Sequence, residues 1–324
     1  MIRISRLTVL VVAVWACFPA FGVNIAGGTG TGNTTGIDNA TGLAVPGWDY
    51  VGTPKRANGT DIVGAMVYLG EGWVLTANHV GTPATVVFGG VPYTVDSTTR
   101  QQLNNPDIFV PGIPNFGQTK TDLALMKLTG TSANWPALET LNIASSRTQI
   151  GTEVVMIGNG QNRATTLTKY DGAWRTLPAS STEYVYSGFT LGSGYSHRWG
   201  TNVVNGSPYV TQIGDGGPWV LGFTTMFEEG VSVNEAQAAP GDSGGGVFAL
   251  DGTLVGIMIA VMPLEGQPNS YSAIYGSQTY IADVSWYLPQ IFAIAPELRP
   301  VPEPATLATL LATSIFVVLR KRRR

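Results

Sequence analysis

Ser243 lies in the run APGDSGGGV, residues 239–247, where one hydroxyl is surrounded by residues that give the backbone unusual freedom. Gly, Asp, Ser and Pro are ordinary turn-makers, so a surface turn explains the composition. A turn that points backbone N–H groups at an atom beside Ser243 explains it equally. A serine hydroxyl is a weak nucleophile and needs a base within hydrogen-bond reach. The chain has two histidines, His79 in GWVLTANHV and His197 in GYSHRWG. His79 follows an apolar strand-like run, whereas His197 sits in a polar loop with no strand behind it. A base has to be held rigidly, which a strand end does better than a loop. By position alone, a base and a satisfied structural histidine remain open readings of His79.

A third group would be a carboxylate that orients the histidine and stabilises its charged form. TKTDLALMKLTG places Asp122 at the mouth of a strand with no polar residue from Leu123 to Met126. A carboxylate entering such a segment is costly to bury alone, and an imidazole N–H is a suitable partner. An Asp that caps the strand in solvent is the alternative.

These residues need a scaffold. The 324 residues include 41 Gly and 20 Pro, and only 12% are charged, so the chain suffices for one large domain or two small ones with real cores. Segments such as AMVYLGEGWVLT, ATVVFGGVPYTV, EVVMIGNG and GTLVGIMIAVM are short, rich in Val, Ile, Tyr and Thr, and punctuated by Gly. No long amphipathic helical pattern competes, so the expected class is all-β, a sandwich or barrel. Strands are expected from about residue 62 to 128 and from about 153 to 261, with long hairpins and loops between 159 and 230. Asp283 is placed to cap a short helix that Pro289 limits or bends.

Both ends read as targeting segments. Arg3 and Arg6 precede an apolar run, and Ala20-Phe21-Gly22 offers the small residues of a signal-peptidase site, so residues 1–22 are expected to be an export signal. Cys17 lies within it, and Trp15 is too bulky for the approach to a lipidated cysteine; it is the only cysteine, so no disulfide is expected. Residues 23–45, rich in Gly, Thr and Asn, read as a flexible leader. At the other end, the thirteen-residue stretch Leu307 to Leu319 is short of the roughly 20 residues needed to cross a bilayer squarely, although Ala305 and a snorkelling Arg320 extend it. The basic run RKRRR marks a cytoplasmic end. VPEPAT followed by this apolar stretch and basic tail resembles the PEP-CTERM sorting signal of bacterial exported proteins, residues 300–324. That resemblance implies an exosortase-type sorting enzyme and a signal peptidase as partners, transient contact with the inner membrane, and release or attachment at the cell surface.

TANHV, TDLALMKL and GDSGG occur in the order His, Asp, Ser, separated by 43 and 121 residues. Together they resemble the motifs of the chymotrypsin-like serine proteases, Thr-Ala-Ala-His-Cys, Asp-Ile-Ala-Leu and Gly-Asp-Ser-Gly-Gly, over roughly residues 60 to 295. The resemblance implies two packed six-stranded antiparallel barrels with a short C-terminal helix, within a domain of residues 46–299. The first barrel would occupy about 60–140 and the second about 150–295, with the site in the crevice between them. Ser243 would then attack the acyl carbon, His79 would take and return the proton, and Asp122 would fix the tautomer of His79. The amides of Gly241 and Ser243 would form the oxyanion hole, helped by the conformational freedom of glycine at 241.

The departures from the family pattern also carry expectations. Val80 replaces the usual cysteine, in keeping with the absence of disulfides, and Asn78 replaces an alanine. Gln237, six residues before the nucleophile, is not the aspartate of a trypsin-like pocket, which disfavours Arg or Lys before the cleaved bond. Ile259, Ala260 and Val261 align with the family's Ser-Trp-Gly, and Val261 in place of glycine would narrow the pocket. With Gln278 on the opposite wall, the expected preference is a small or medium apolar residue. In many relatives a newly cut amino terminus pairs with the aspartate before the serine, here Asp242. No Arg-Ile-Val-Gly cleavage site is apparent, so either the leader is trimmed elsewhere or Asp242 has another partner.

Residues 23–300 carry 11 Lys plus Arg against 20 Asp plus Glu, a net charge of −9, which excludes a phosphate-binding surface and disfavours nucleic acid. With two histidines and no mature cysteine, neither zinc nor any other cofactor is expected, while loop carboxylates leave calcium open. The leading expectation is an exported serine endopeptidase acting on polypeptides. A serine esterase on the same site and a catalytically silent surface binding protein are the alternatives.

Overall fold

The computed structural model describes residues 23–214, 216–268 and 272–300. The segments read as the export signal, 1–22, and the sorting signal beyond 300 lie outside the described residues, and among the described residues no helix is long and apolar enough to cross a membrane.

Twelve strands form two closed antiparallel barrels. In the first, β1 (Val51–Lys55), β2 (Met66–Gly70), β3 (Trp73–Ala77), β4 (Thr85–Phe88), β5 (Val91–Asn104) and β6 (Lys120–Leu128) close in the order β1-β2-β3-β6-β5-β4. In the second, β7 (Glu153–Gly158), β8 (Arg198–Gln212), β9 (Trp219–Met226), β10 (Gly246–Ala249), β11 (Leu254–Met262) and β12 (Gln278–Asp283) close in the order β8-β9-β12-β11-β10-β7.

Strands β2, β3, β7 and β11 read as largely unbroken apolar runs because both of their faces are buried over most of their length. On β2, Met66 and Tyr68 join an apolar cluster made of first-barrel residues, while Val67 and Leu69 join a cluster shared by both barrels. On β7, Val154 and Met156 face a second-barrel cluster, and Val155 and Ile157 face the shared one. The period of two is intact, but each face meets a different core. The shared cluster, which joins Leu75, Leu123 and Leu125 to Ile157, Leu221 and Ile257, fixes the barrels against each other.

The structure differs from the sequence reading in three places. The stretch expected as long loops, 159–230, supplies β8 and β9, two of the six strands of the second barrel. Its Gly, Ser and Asn content hid them, because β8 is half-exposed along much of its length and bulges twice against β9. A further small sheet of Thr168–Tyr170, Thr176–Leu177, Tyr186–Phe189 and Ala273–Ile274 lies outside the barrels. The segment read as a flexible leader begins packed: Val23, Asn24 and Ile25 are buried, and Asn24–Ile25 pairs with Ala236–Gln237. Finally, the first barrel opens at Val51, about ten residues before the expected first strand.

The helical end is close to expectation. Asp283 caps a single turn, Val284–Trp286, by accepting the Ser285 amide at 3.0 Å. Pro289 then falls in the first turn of α1 (Leu288–Ile294), where no backbone donor is needed.

Candidate active site

His79 and Asp122 are brought together by strand register. Strands β3 and β6 pair with Ala77 opposite Leu123, so the residues just beyond that pair, Asn78–His79 and Asp122, are neighbours. His79 sits on a single 3-10 turn, Asn78–Val80, that ends β3. Asp122 is fully buried and accepts two hydrogen bonds from the same residue: the His79 amide donates to Oδ1 at 2.9 Å, and the ring Nδ1 meets Oδ2 at 2.6 Å. An ionised carboxylate only accepts, so the proton of the neutral ring is on Nδ1 and Nε2 is left as a lone-pair base. The His79 side chain is 43% exposed, so that nitrogen has access to a ligand.

Two further contacts hold this turn, and both explain departures in the sequence. Arg100 Nη2 donates to the Asn78 side-chain Oδ1 and to the Asn78 carbonyl, the latter at 3.2 Å. Asn78 thus anchors the histidine turn to β5, a role no alanine could fill. Val80 is buried against Gly64, where a Cβ would lie 2.6 Å from its Cγ1.

Ser243 is delivered by the second barrel but gripped by the first. The Ala65 amide donates to the Ser243 carbonyl at 2.8 Å, and Thr76 of β3 donates to the Ala65 carbonyl at 2.7 Å. Gly244 has φ of +84°, and any Cβ there would collide with the Ala65 carbonyl oxygen and Thr76 Oγ1. Gly241 has φ of +102°, with the Asn159 carbonyl oxygen 2.7 Å from where its Cβ would be. The amides of Gly241 and Ser243 donate to no carbonyl outside the strand ladders among the described residues, whereas Asp242 and Gly244 between and after them do. This is the pattern a turn needs if two donors are to be kept for a ligand.

A cavity of about 460 Å³ opens between His79 and Ser243. Val63, Ile213, Ala238, Met258, Ile259 and Val261 give it an apolar wall, and Gln161 and Gly241 also line it. The Ser243 hydroxyl donates to the Ile259 carbonyl at 3.4 Å. No hydrogen bond joins Ser243 to His79 in this conformation, although both face the same space.

The Trypsin family profile matches residues 48–284, which takes in both barrels and all three motif residues. The chain belongs to the trypsin family of serine-type peptidases. No curated protein matches it. Among solved structures, the chain is similar to the Rv3671c protease of M. tuberculosis in its inactive form, at 14% identity over 76% of this chain and 90% of that one, with a TM-score of 0.43. It is similar to the mouse serine protease neuropsin at 16% identity over 76% of this chain and 94% of that one, with a TM-score of 0.45.

Within this trypsin-family domain the remaining sequence-derived residues divide. Ile259 and Val261 line the cavity, while Gln237 and Gln278 do not. Gln237 is buried on the short strand directly opposite Asn24, and Gln278 starts β12 between Met226 and Met262. His197 is partly buried with its ring centroid 4.1 Å from that of Trp48, and burial pushes its pKa down to about 4. It packs on Trp48 from the two-residue link between the strand Leu191–Tyr195 and β8, so it sits in a connection as expected, but one with a strand directly behind it.

Asp242 is fully buried next to Ser243, and the loss of water pushes its carboxyl up to about 7. Two residues of this region were not singled out from the sequence: the buried arginines Arg163 and Arg198. Arg163 donates to the carbonyls of Ile25, Ala26, Gly27 and Gly28, and Arg198 to those of Val23 and Gly32. The flanking residues, QNRAT and SHRWG, carry no signal of this burial beyond Trp199 beside Arg198.

Proposed function

We propose that the chain is an exported serine endopeptidase in which Ser243 is the nucleophile, His79 the general base and acid, and Asp122 the group that fixes His79. The observation that carries this reading is the two-point contact of Asp122 with His79, on a cavity that Ser243 also lines. In the reactive form the Ser243 hydroxyl leaves the Ile259 carbonyl and donates instead to Nε2 of His79, which lines the same cavity. His79 then accepts the hydroxyl proton as Ser243 bonds to the acyl carbon of the substrate. The negative charge that develops on the acyl oxygen is received by the amides of Gly241 and Ser243. Collapse of that intermediate expels the amine, which takes the proton from His79, and water repeats the sequence to release the acid. The apolar wall of Ile213, Met258, Ile259 and Val261 supports an apolar residue before the cleaved bond. Export through the segment 1–22 and sorting through 300–324 complete the proposal.

A fluorophosphonate probe tests the chemistry. Labelling of the purified protein is expected to vanish in Ser243→Ala and in His79→Ala, and turnover of a peptide library is expected to favour apolar over basic residues before the cut. A folded protein that never labels would reject the triad; a library won by Arg or Lys would reject the pocket reading; turnover of esters but not peptides would favour an acyl hydrolase. Fractionation of the producing cell, with the protein retained inside, would reject export.

A further inference from the structure

Among the described residues, Gln161 is the one polar side chain on the cavity wall that the proposed reaction does not use. Its amide donates to the Pro240 carbonyl at 2.7 Å, and its side-chain Nε2 donates to the Gly192 carbonyl at 2.9 Å. A carbonyl only accepts, so the Gly192 contact fixes which end of the carboxamide is nitrogen and leaves Oε1 as an acceptor. That oxygen receives no hydrogen bond among the described residues.

Gln161 begins a two-stranded ribbon, Gln161–Arg163 paired with Leu191–Tyr195, in which Tyr195 stands directly opposite it. Opposed residues share one face, with Cβ atoms about 5 Å apart. Tyr195 is 36% exposed and flanks the nucleophile turn, its Cδ1 lying 2.9 Å from where a Cβ on Gly241 would be. The ribbon is tied down at its base, where the Ser196 amide donates to the Gly160 carbonyl at 3.1 Å and Asn162 Nδ2 donates to the Ser193 carbonyl. A ring and a fixed acceptor are thus held together beside Gly241.

The residue before the cut places its side chain on the wall of Ile213, Met258, Ile259 and Val261, all from the second barrel. Side chains alternate along an extended polypeptide, so the second residue after the cut, two further on, faces the same barrel about 7 Å away. The acyl oxygen between them is received at Gly241, and the ribbon is what borders Gly241 and Pro240. Oε1 of Gln161 demands a donor, and the exposed ring of Tyr195 favours a cation over its face; arginine supplies both. The net negative charge of residues 23–300 attracts such a side chain at longer range. We propose that Gln161 and Tyr195 are specificity-determining residues that receive an arginine at the second position after the cut, its guanidinium donating to Gln161 Oε1 and lying on the Tyr195 ring. The inference rests on the peptidase reading and adds to it a demand on the leaving half of the substrate.

The test varies the leaving side alone. The full chain is acylated with a peptide ester that carries an apolar residue at its acyl end, and dipeptide amides compete with water for the acyl group. Gly-Arg-amide is expected to capture it about tenfold better than Gly-Ala-amide. Gln161→Met, which keeps the stem and removes the acceptor, is expected to lower that ratio to about threefold, and Tyr195→Ser to lower it by about threefold as well. Each figure compares two acceptors on one acyl-enzyme, so a variant that merely loosens the fold does not move it. A wild-type ratio below about two would overturn the proposal, as would a ratio unchanged in Gln161→Met. Should Tyr195→Ser not fold, Tyr195→Phe is expected to keep the wild-type ratio, because the ring remains, and Gln161→Met carries the comparison. An acyl-enzyme that forms but takes all acceptors alike sinks this inference and leaves the peptidase reading standing; protein that the ester never acylates sinks both.

Discussion

The two halves of the site are held by opposite means. His79 and Asp122 stand at paired strand ends and are fixed by direct, short hydrogen bonds: one carboxylate, two donors, and an arginine behind the turn. The Ser243 turn has little of this. It is shaped by side chains that are missing, at Gly241, Gly244, Gly158 and Gly160, and by a buried acid that needs distant compensation. On the proposed triad, the base would therefore be positioned by what its neighbours donate, and the nucleophile by where its neighbours leave room. A mutation on the first side should remove a defined interaction, whereas one on the second should move the backbone.

The sharpest way to break the base side is Asp122→Asn. The amide can no longer accept from both His79 donors as a charge, and the ring is free to take the wrong tautomer, so kcat should fall by about 10⁴-fold with the fold intact. Circular dichroism and a peptide assay on the same sample check both halves of that statement. On the nucleophile side, Gly244→Ala should damage stability and activity together. The new methyl group meets the Ala65 carbonyl at a φ of +84°, and overpacking of 1–3 kcal/mol plus the left-handed penalty of 1–2 kcal/mol gives a loss of about 3 kcal/mol. A urea midpoint unchanged by this substitution would show that the turn is not built on absent side chains.

Asp242 sharpens the comparison through pH. Its folded pKa, about 7, lies above its ordinary value of 3.8, so the folded state holds the proton more tightly than the unfolded chain. Its contribution to stability is then fully present below the unfolded pKa and is lost as pH rises toward 7. Between pH 5 and pH 8 the wild type should lose about 2 to 3 kcal/mol from this group, and Asp242→Asn should not. Glu235, also pushed up to about 7 by burial, and His197, pushed down, contribute equally to both proteins and cancel in the difference between them. Unfolding free energies with the same pH dependence in the two proteins would mean that Asp242 ionises freely in the fold.

The same contrast explains what could be read from the chain without coordinates. The neighbourhood of His79 and Asp122, on a cavity that Ser243 also lines, was legible because each residue sits in a short motif, and the apolar runs around Val74, Leu125 and Ile257 announced strands. The second barrel was harder to see. Strand β8 carries Gly200, Asn202, Gly206 and Pro208, residues that weaken a strand signal, and its pairing with β7 and β9 comes from tertiary closure rather than local propensity. Arg163, Arg198 and the packing of Val23 to Ile25 were invisible for a related reason. The arginines' partners are backbone carbonyls about 130 to 175 residues away, and a carbonyl has no sequence signature, while the amino-terminal strand pairs with the distant Ala236–Gln237. The side chain of Gln237 illustrates the limit of transfer by alignment, since pairing with the amino-terminal strand puts it across from Asn24 rather than on the cavity wall.

Arg100 gives the smallest effect and the finest discrimination. It touches neither the cavity nor the reacting groups, but it holds the Asn78 side chain and carbonyl, and so the turn on which His79 rides. Removing its guanidinium in Arg100→Met keeps the apolar stem packed and deletes two charge-assisted hydrogen bonds to one residue, which together contribute about 1 kcal/mol at a half-exposed position. The pair His79–Asp122 survives, because its own two contacts do not depend on Arg100. If the base side is fixed by the sum of its donors, kcat should drop by about fivefold with KM unchanged, since the misplacement is felt in proton transfer and not in substrate binding. Equal loss in Asn78→Ala, and no added loss in the double variant, would place both residues on one path to His79. An additive double variant would instead show that the turn is held by the carboxylate alone, and the base side would then be as sparsely supported as the nucleophile it serves.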